Sequence, residues 1–176
     1  MNDTARVIFT WDCPRSCAKC CNKQDFVQNA TRIEHIEDIA DKYGRFVITG
    51  GEPLMYPRAL EKLMEKLYDS RRSFYLQTAQ FSLALGGFIH MFDGVSYSVH
   101  AEGWCHDDET NLAAMEDLLQ SHPHLTNHLW VDKAMNDVLR VDVGETCWSK
   151  ITVAPMLDDC PIGTNEDLYV LRSLVL

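Results

Sequence analysis

Short apolar runs that alternate with amphipathic helical runs are the strongest constraint on how this chain can fold. Strand-like runs lie at 6–10, 45–49, 73–78, 94–100, 128–133 and 150–154. Helical patterns fall between them. At 31–43, Thr31 and Glu34 have capping-box spacing, Ile33, Ile36, Ile39 and Ala40 form one stripe, and Gly44 suits a C-terminal stop. Pro57 opens a second helix whose Leu60, Leu63, Met64, Leu67 and Tyr68 follow helical spacing. A short helix covers 81–91, another covers 110–120 before Pro123, and a last one covers 166–175. The segment 136–149 reads either as a short helix or as an extra strand through 138–143.

Alternating strands and helices predict βα units on a mainly parallel sheet. A closed eight-stranded barrel takes about 250 residues, and the chain has 176. At about 30 residues per βαβ unit, six units fill it. The expectation is therefore an α/β fold, a partial (β/α)6 barrel with a mainly parallel six-stranded sheet. With no linker and no repeat, residues 1–176 read as a single domain.

Lys and Arg total 16 against 26 Asp and Glu, a formal net charge of −10. That balance argues against a protein that grips the backbone of duplex nucleic acid. A local basic pocket would still admit a nucleotide. No run approaches the roughly 18 apolar residues of a membrane span, and the first residues lack a signal-peptide pattern. The expected setting is soluble and cytoplasmic. Seven cysteines in such a setting point to metal or redox chemistry rather than to a disulfide scaffold.

Three of these cysteines form C-x3-C-x2-C, as Cys13, Cys17 and Cys20, directly after the first strand. A loop can turn three thiolates toward one centre, and three ligands leave one position open for reactivity. A structural zinc site that recruits Cys21 or a histidine as fourth ligand is the competing reading. The second motif is Gly50-Gly51-Glu52-Pro53, at the end of the second predicted strand. Two glycines permit close approach to the backbone, and a carboxylate beside them can hold an ammonium group. Parallel α/β folds place sites at the carboxyl ends of their strands.

Together the two motifs resemble the radical SAM superfamily. The resemblance implies that Cys13, Cys17 and Cys20 hold a [4Fe-4S] cluster and that Gly50, Gly51 and Glu52 hold the methionine end of S-adenosylmethionine, with Pro53 completing the turn. It implies reductive cleavage to a 5′-deoxyadenosyl radical that abstracts hydrogen from a small substrate, of nucleoside, nucleotide or peptide type. It also implies a flavodoxin- or ferredoxin-like electron donor. Lys19 stands where many members carry an aromatic residue near the adenine.

Ser96, Ser98 and His100 share one face of the fourth predicted strand. The resemblance assigns Ser98 and His100 to the cofactor, with Thr78 and Gln80 as further polar candidates. Cys105 and Lys133 are the catalytic candidates, with Asp132 beside Lys133. The run His106 to Glu109 reads as a solvated helix start, since acidic residues favour helix N-termini. Cys21, Cys147 and Cys160 receive no assigned role. A protein partner or a second copy would cover the open side of the barrel. Two alternatives stand beside this reading. One is an activase that makes a glycyl radical on a partner such as an anaerobic ribonucleotide reductase, although entry through Phe9-Thr10-Trp11-Asp12 lacks a glycine-rich lead-in. The other is a non-catalytic zinc-binding module.

Overall fold

The computed structural model describes residues 2–68, 71–102, 104–135, 139, 147–155 and 165–172. Eight strands lie among them: β1 (Thr4–Thr10), β2 (Thr31–Ile33), β3 (Arg45–Gly50), β4 (Ser73–Thr78), β5 (Gly94–Val99), β6 (His128–Asp132), β7 (Lys150–Ala154) and β8 (Glu166–Leu171). The helices are α1 (Asp25–Gln28), α2 (Glu37–Ala40), α3 (Pro57–Leu67), α4 (Leu85–Phe88) and α5 (His106–Gln120). The strands form one sheet in the order β2-β8-β1-β3-β4-β5-β6-β7, and every pairing is parallel. Among the described residues no helix is long and apolar enough to cross a membrane.

The expected α/β class and parallel sheet are present, but the sheet has eight strands rather than six. The six predicted strands correspond to β1, β3, β4, β5, β6 and β7, side by side in chain order. The two additions sit beyond β1, and both replace predicted helices. Within 31–43, Thr31–Ile33 is strand and only Glu37–Ala40 is helical. Ile33, Ile36 and Ile39 are still buried. Their spacing is equally served by a strand, a turn and one helical turn, and pairing with β8 supplies the backbone partners that a longer helix would have supplied. Within 166–175, Glu166–Leu171 is strand, and 173–175 lie outside the described residues. β1 buries Val7, Ile8 and Phe9, side chains of both its faces, so it belongs in a sheet interior, with a neighbour on each side. β8 is that neighbour, and Arg6 fastens it through Glu166 at 2.7 and 3.2 Å.

The main core lies between one sheet face and the helices. Alternate residues Phe46 and Ile48, Phe74 and Leu76, Val95, Tyr97 and Val99, and Leu129 and Val131 meet Leu60, Leu63, Met64 and Leu67 of α3 and Leu112, Met115 and Leu119 of α5 in one apolar cluster. Fully burying each of these α3 side chains contributes about 2 kcal/mol before entropy is counted. The opposite face carries a different chemistry. Arg6 donates to Gln77 of β4 at 2.7 Å, reaching over β3, and His128 lies 2.9 Å from Thr152. Ser96 and Ser98 stand on this half-buried face, opposite His128 and Trp130 in the β5–β6 register.

Candidate functional site

All of the sequence-predicted site residues lie at the carboxyl edge of the sheet. Cys13, Cys17 and Cys20 follow β1, Gly50 to Pro53 follow β3, Thr78 and Gln80 end β4, Ser98 and His100 end β5, and Asp132 and Lys133 end β6. Parallel pairing in chain order forces this clustering, because every strand then delivers its loop to the same side.

The Gly50–Glu52 turn and the exit of β1 are built against each other. Gly51 N–H donates to the Thr10 carbonyl at 2.6 Å, and Glu52 N–H donates to the Asp12 carbonyl at 2.7 Å. Gly50 has φ of 130°, and a Cβ there would stand 2.5 Å from the Thr10 oxygen. A Cβ on Gly51 would stand 2.0 Å from the Asp12 oxygen. The close approach that the two glycines permit is therefore taken up by the chain's own cysteine-loop backbone. Pro53 opens a 3-10 turn, Pro53–Met55, in which Pro53 and Leu54 are buried and Met55 is exposed. The Tyr56 hydroxyl donates to Asp12, a third link between the loops.

Glu52 is 2% exposed. Its Oε1 accepts from Leu54 N–H at 3.1 Å and from the Thr78 hydroxyl, and its Oε2 accepts from Ala79 N–H at 2.8 Å. Burial pushes this carboxyl above its ordinary value, against the pull of those donors and of the Arg15 charge. A carboxylate offers about four acceptor sites, so after these three bonds among the described residues Oε2 retains one. Thr78 is thus part of the site through Glu52, while Gln80 joins through its backbone, donating N–H to the Thr78 hydroxyl at 3.1 Å.

Cys13, Cys17 and Cys20 are all free thiols, exposed, buried and half-buried in that order. Desolvation raises Cys13 and Cys17, and each is raised further by the charge of its neighbours, Cys20 among them. The three are thus within electrostatic reach of one another. Among the described residues no three His, Cys, Asp or Glu side chains already form a metal-binding group. Cys21 is disulfide-bonded, which removes it as the fourth ligand of a zinc site. Lys23 holds the loop by donating to the Cys17 carbonyl at 2.7 Å.

The other wall is the loop from β5 to α5. Glu102 accepts from Ala18 N–H at 2.6 Å, and Asp108 pairs with Arg15 while accepting from Cys105 N–H at 2.9 Å. The helix starts at His106, where the acidic run suits it, but Asp108 is buried rather than solvated. Cys105 is exposed and precedes the first helical residue. His100 is lowered by desolvation first and by the Arg15 charge second, with Asp132, Asp108 and Glu102 opposing. Its ring centroid lies 6.1 Å from that of Trp130. Asp132 is buried and accepts from Ala101 N–H at 3.4 Å and Ala134 N–H at 3.1 Å, whereas Lys133 is exposed.

Arg15, Asp108 and Glu102 are the residues that sequence reasoning missed. Arg15 acts electrostatically on Cys13, Cys17, Glu52, Tyr97 and His100. A single arginine inside a cysteine loop was the available signal, but its partner lies 93 positions away. Cys147 is at the opposite end of the sheet. Its carbonyl accepts from Asn127, just before β6, and burial pushes its thiol up to about 11. Cys160 lies outside the described residues. The chain matches no family model and no curated protein.

Proposed function

We propose that this chain is a radical SAM enzyme core in which Cys13, Cys17 and Cys20 hold a [4Fe-4S] cluster and the Gly50–Pro53 turn receives S-adenosylmethionine. The observation that carries the reading is the joint between the two motifs. Gly51 and Glu52 donate to the carbonyls of Thr10 and Asp12, so the turn is seated immediately beside Cys13. The donor set is the one that the resemblance implies for an iron–sulfur cluster: three free thiols on one loop, of the ligand type such clusters take. The strands β1, β3, β4, β5, β6 and β7 also follow in chain order, as a partial (β/α)6 barrel requires, with β8 and β2 extending its first edge.

When bound, such a cluster supplies the electron for reductive cleavage of S-adenosylmethionine and hence the hydrogen-abstracting chemistry. The chain's own residues supply the rest. The free acceptor site on Glu52 Oε2 can take the methionine ammonium, while Thr78, Ala79 and Leu54 hold the carboxylate in place. Ser98 and His100 line the same edge and orient the nucleoside part. Cys105 and Lys133, both exposed at this end, remain the candidates for contact with the substrate. A flavodoxin- or ferredoxin-like protein is the proposed reductant in a cytoplasmic setting.

The test is anaerobic reconstitution with iron and sulfide, reduction by dithionite, and mass spectrometry for 5′-deoxyadenosine after S-adenosylmethionine is added. The product is expected from the parent chain and absent from Cys13→Ala, Cys17→Ala and Cys20→Ala. Zinc held in place of iron, with no cleavage, would overturn the reading in favour of a zinc-binding module.

A further inference from the structure

Arg15 stands between two of the three cysteines, two positions from Cys13 and two from Cys17. Its Cα therefore lies within about 7 Å of each of theirs. Its guanidinium pairs with Asp108, and the two side chains are 12% and 8% exposed. Asp108 is in turn held at the start of α5, where it accepts from Cys105 N–H at 2.9 Å. A loop side chain is thus anchored to a helix. Among the described residues Arg15 Nε is buried without a hydrogen-bond partner. A guanidinium only donates, so one enclosed N–H is left over after Asp108 has taken Nη2.

The influence of this cation on the thiols is direct. Burial raises both Cys13 and Cys17 most. The charges that bear most on Cys13 are those of Glu52, Cys20 and Arg15, and on Cys17 those of Cys20, Cys13, Glu102 and Arg15. Among these described neighbours Arg15 is the one cation. Its backbone N–H also donates to Cys13. Three thiolates on one centre repel each other, and every electron added there makes the site more negative. A buried positive charge beside them is weakly screened by solvent and favours that electron. Net charge, hydrogen bonds to sulfur and exposure are the levers that set the potential of an iron–sulfur cluster.

We infer that Arg15, anchored by Asp108, is a positioning residue that sets the reduction potential of the group held by Cys13, Cys17 and Cys20, by fixing one buried positive charge beside the thiolates. Arg15 favours the reduced form, and Asp108 moderates it. The inference rests on the proposed function for the identity of that group as a [4Fe-4S] cluster. It concerns the entry of one electron, in which no bond of the chain forms or breaks.

The full chain is reconstituted with iron and sulfide, and its midpoint is read by potentiometric titration with dithionite, followed by EPR, before any S-adenosylmethionine is added. Arg15→Gln keeps an N–H donor and removes the charge. Its one-electron reduction should become about tenfold less favourable, a midpoint about 59 mV lower. Asp108→Asn keeps an acceptor for Cys105 N–H and removes the opposing charge, so its midpoint should rise. Arg15→Lys restores the charge and should stay closer to the parent chain than Arg15→Gln does. A role confined to holding the loop would lower cluster content in Arg15→Gln and Asp108→Asn alike, without midpoint shifts of opposite sign, and that result would overturn the inference. Where Arg15→Gln fails to load iron, Asp108→Asn decides, and a midpoint at or below that of the parent chain counts against it. Unmoved midpoints with weaker S-adenosylmethionine binding in Arg15→Gln would assign the guanidinium to the carboxylate of that molecule instead. Opposed shifts in a chain that never cleaves S-adenosylmethionine would sink the proposed reaction alone, whereas a parent chain that forms no cluster would sink both.

Discussion

Replacing Gly51 with alanine puts a methyl carbon 2.0 Å from the Asp12 carbonyl oxygen, 2.6 Å from its carbon and 2.8 Å from the Trp11 carbonyl carbon. All three are backbone atoms, so no side chain can swing aside. Restoring even a 3.0 Å contact opens the joint by at least 1.0 Å. That opening breaks the bonds from Gly51 to Thr10 and from Glu52 to Asp12, at 2.6 and 2.7 Å. Each is worth about 1 kcal/mol net, and overpacking adds about 1–3 kcal/mol. The expected loss is about 3–5 kcal/mol, a large part of the roughly 5–15 kcal/mol that holds a domain together. With a urea dependence of about 2 kcal/mol/M, the unfolding midpoint should drop by about 2 M. Gly87→Ala is the matched control: it sits in α4 with nothing within 4 Å of the added carbon. It should be neutral or stabilising by up to about 1 kcal/mol. A Gly51→Ala protein within 1 kcal/mol of the parent chain (an order-of-magnitude threshold, about one hydrogen bond) would show that the cysteine loop is not seated on this turn. The same variant should load less iron on reconstitution, because Asp12 adjoins Cys13.

Three further outcomes follow from single contacts. Removing one partner of the buried Arg15–Asp108 pair, by Asp108→Ala, should cost about 3–5 kcal/mol in urea unfolding. Replacing Arg15 and Asp108 together by apolar residues of similar volume should cost less than Asp108→Ala alone, and equal losses would refute the coupling. Glu52 is raised above its ordinary 4.5 by burial, so ionising it opposes folding. Its favourable contribution is complete below pH 4.5 and is lost as pH rises through the raised folded value. The parent chain should therefore lose stability relative to Glu52→Gln as pH rises above 4.5, and a parallel pH profile would contradict this. Val170 is 2% exposed and packs with Ile8 and Val27. Val170→Ala should cost about 1–2 kcal/mol, and an unchanged midpoint would argue against β8 lying between β1 and β2.

The parallel strands were largely legible in the chain. Ser73–Thr78 and Lys150–Ala154 have the bounds that their residues suggest, and β1, β3, β5 and β6 differ by a residue or two at their ends. α3 follows β3 with a one-sided apolar stripe, so period and length agree there, whereas the helix expected over 81–91 is only Leu85–Phe88 followed by a 3-10 turn at Ile89–Met91. Agreement failed where one pattern served two structures. Ile33, Ile36 and Ile39 would bury equally from a helix or from a bent path, and only the presence of β8 selected the latter. The end of the chain reads as helix until β1 needs a second neighbour, a requirement set by residues 160 positions away in the case of Arg6 and Glu166.

Local sequence fixed the chemistry available at the site: three thiols in one loop, and a glycine pair beside a carboxylate. Both are set by spacing along a few residues, and chain order in a parallel sheet then sends them to one edge. Tertiary structure decided what those groups face. It filled the glycine cradle with the Thr10 and Asp12 carbonyls, bound Glu52 to Thr78 and Ala79, and placed Asp108 against Arg15. Burial and pairing between residues far apart in sequence are properties of the packed sheet, and no local pattern encodes them.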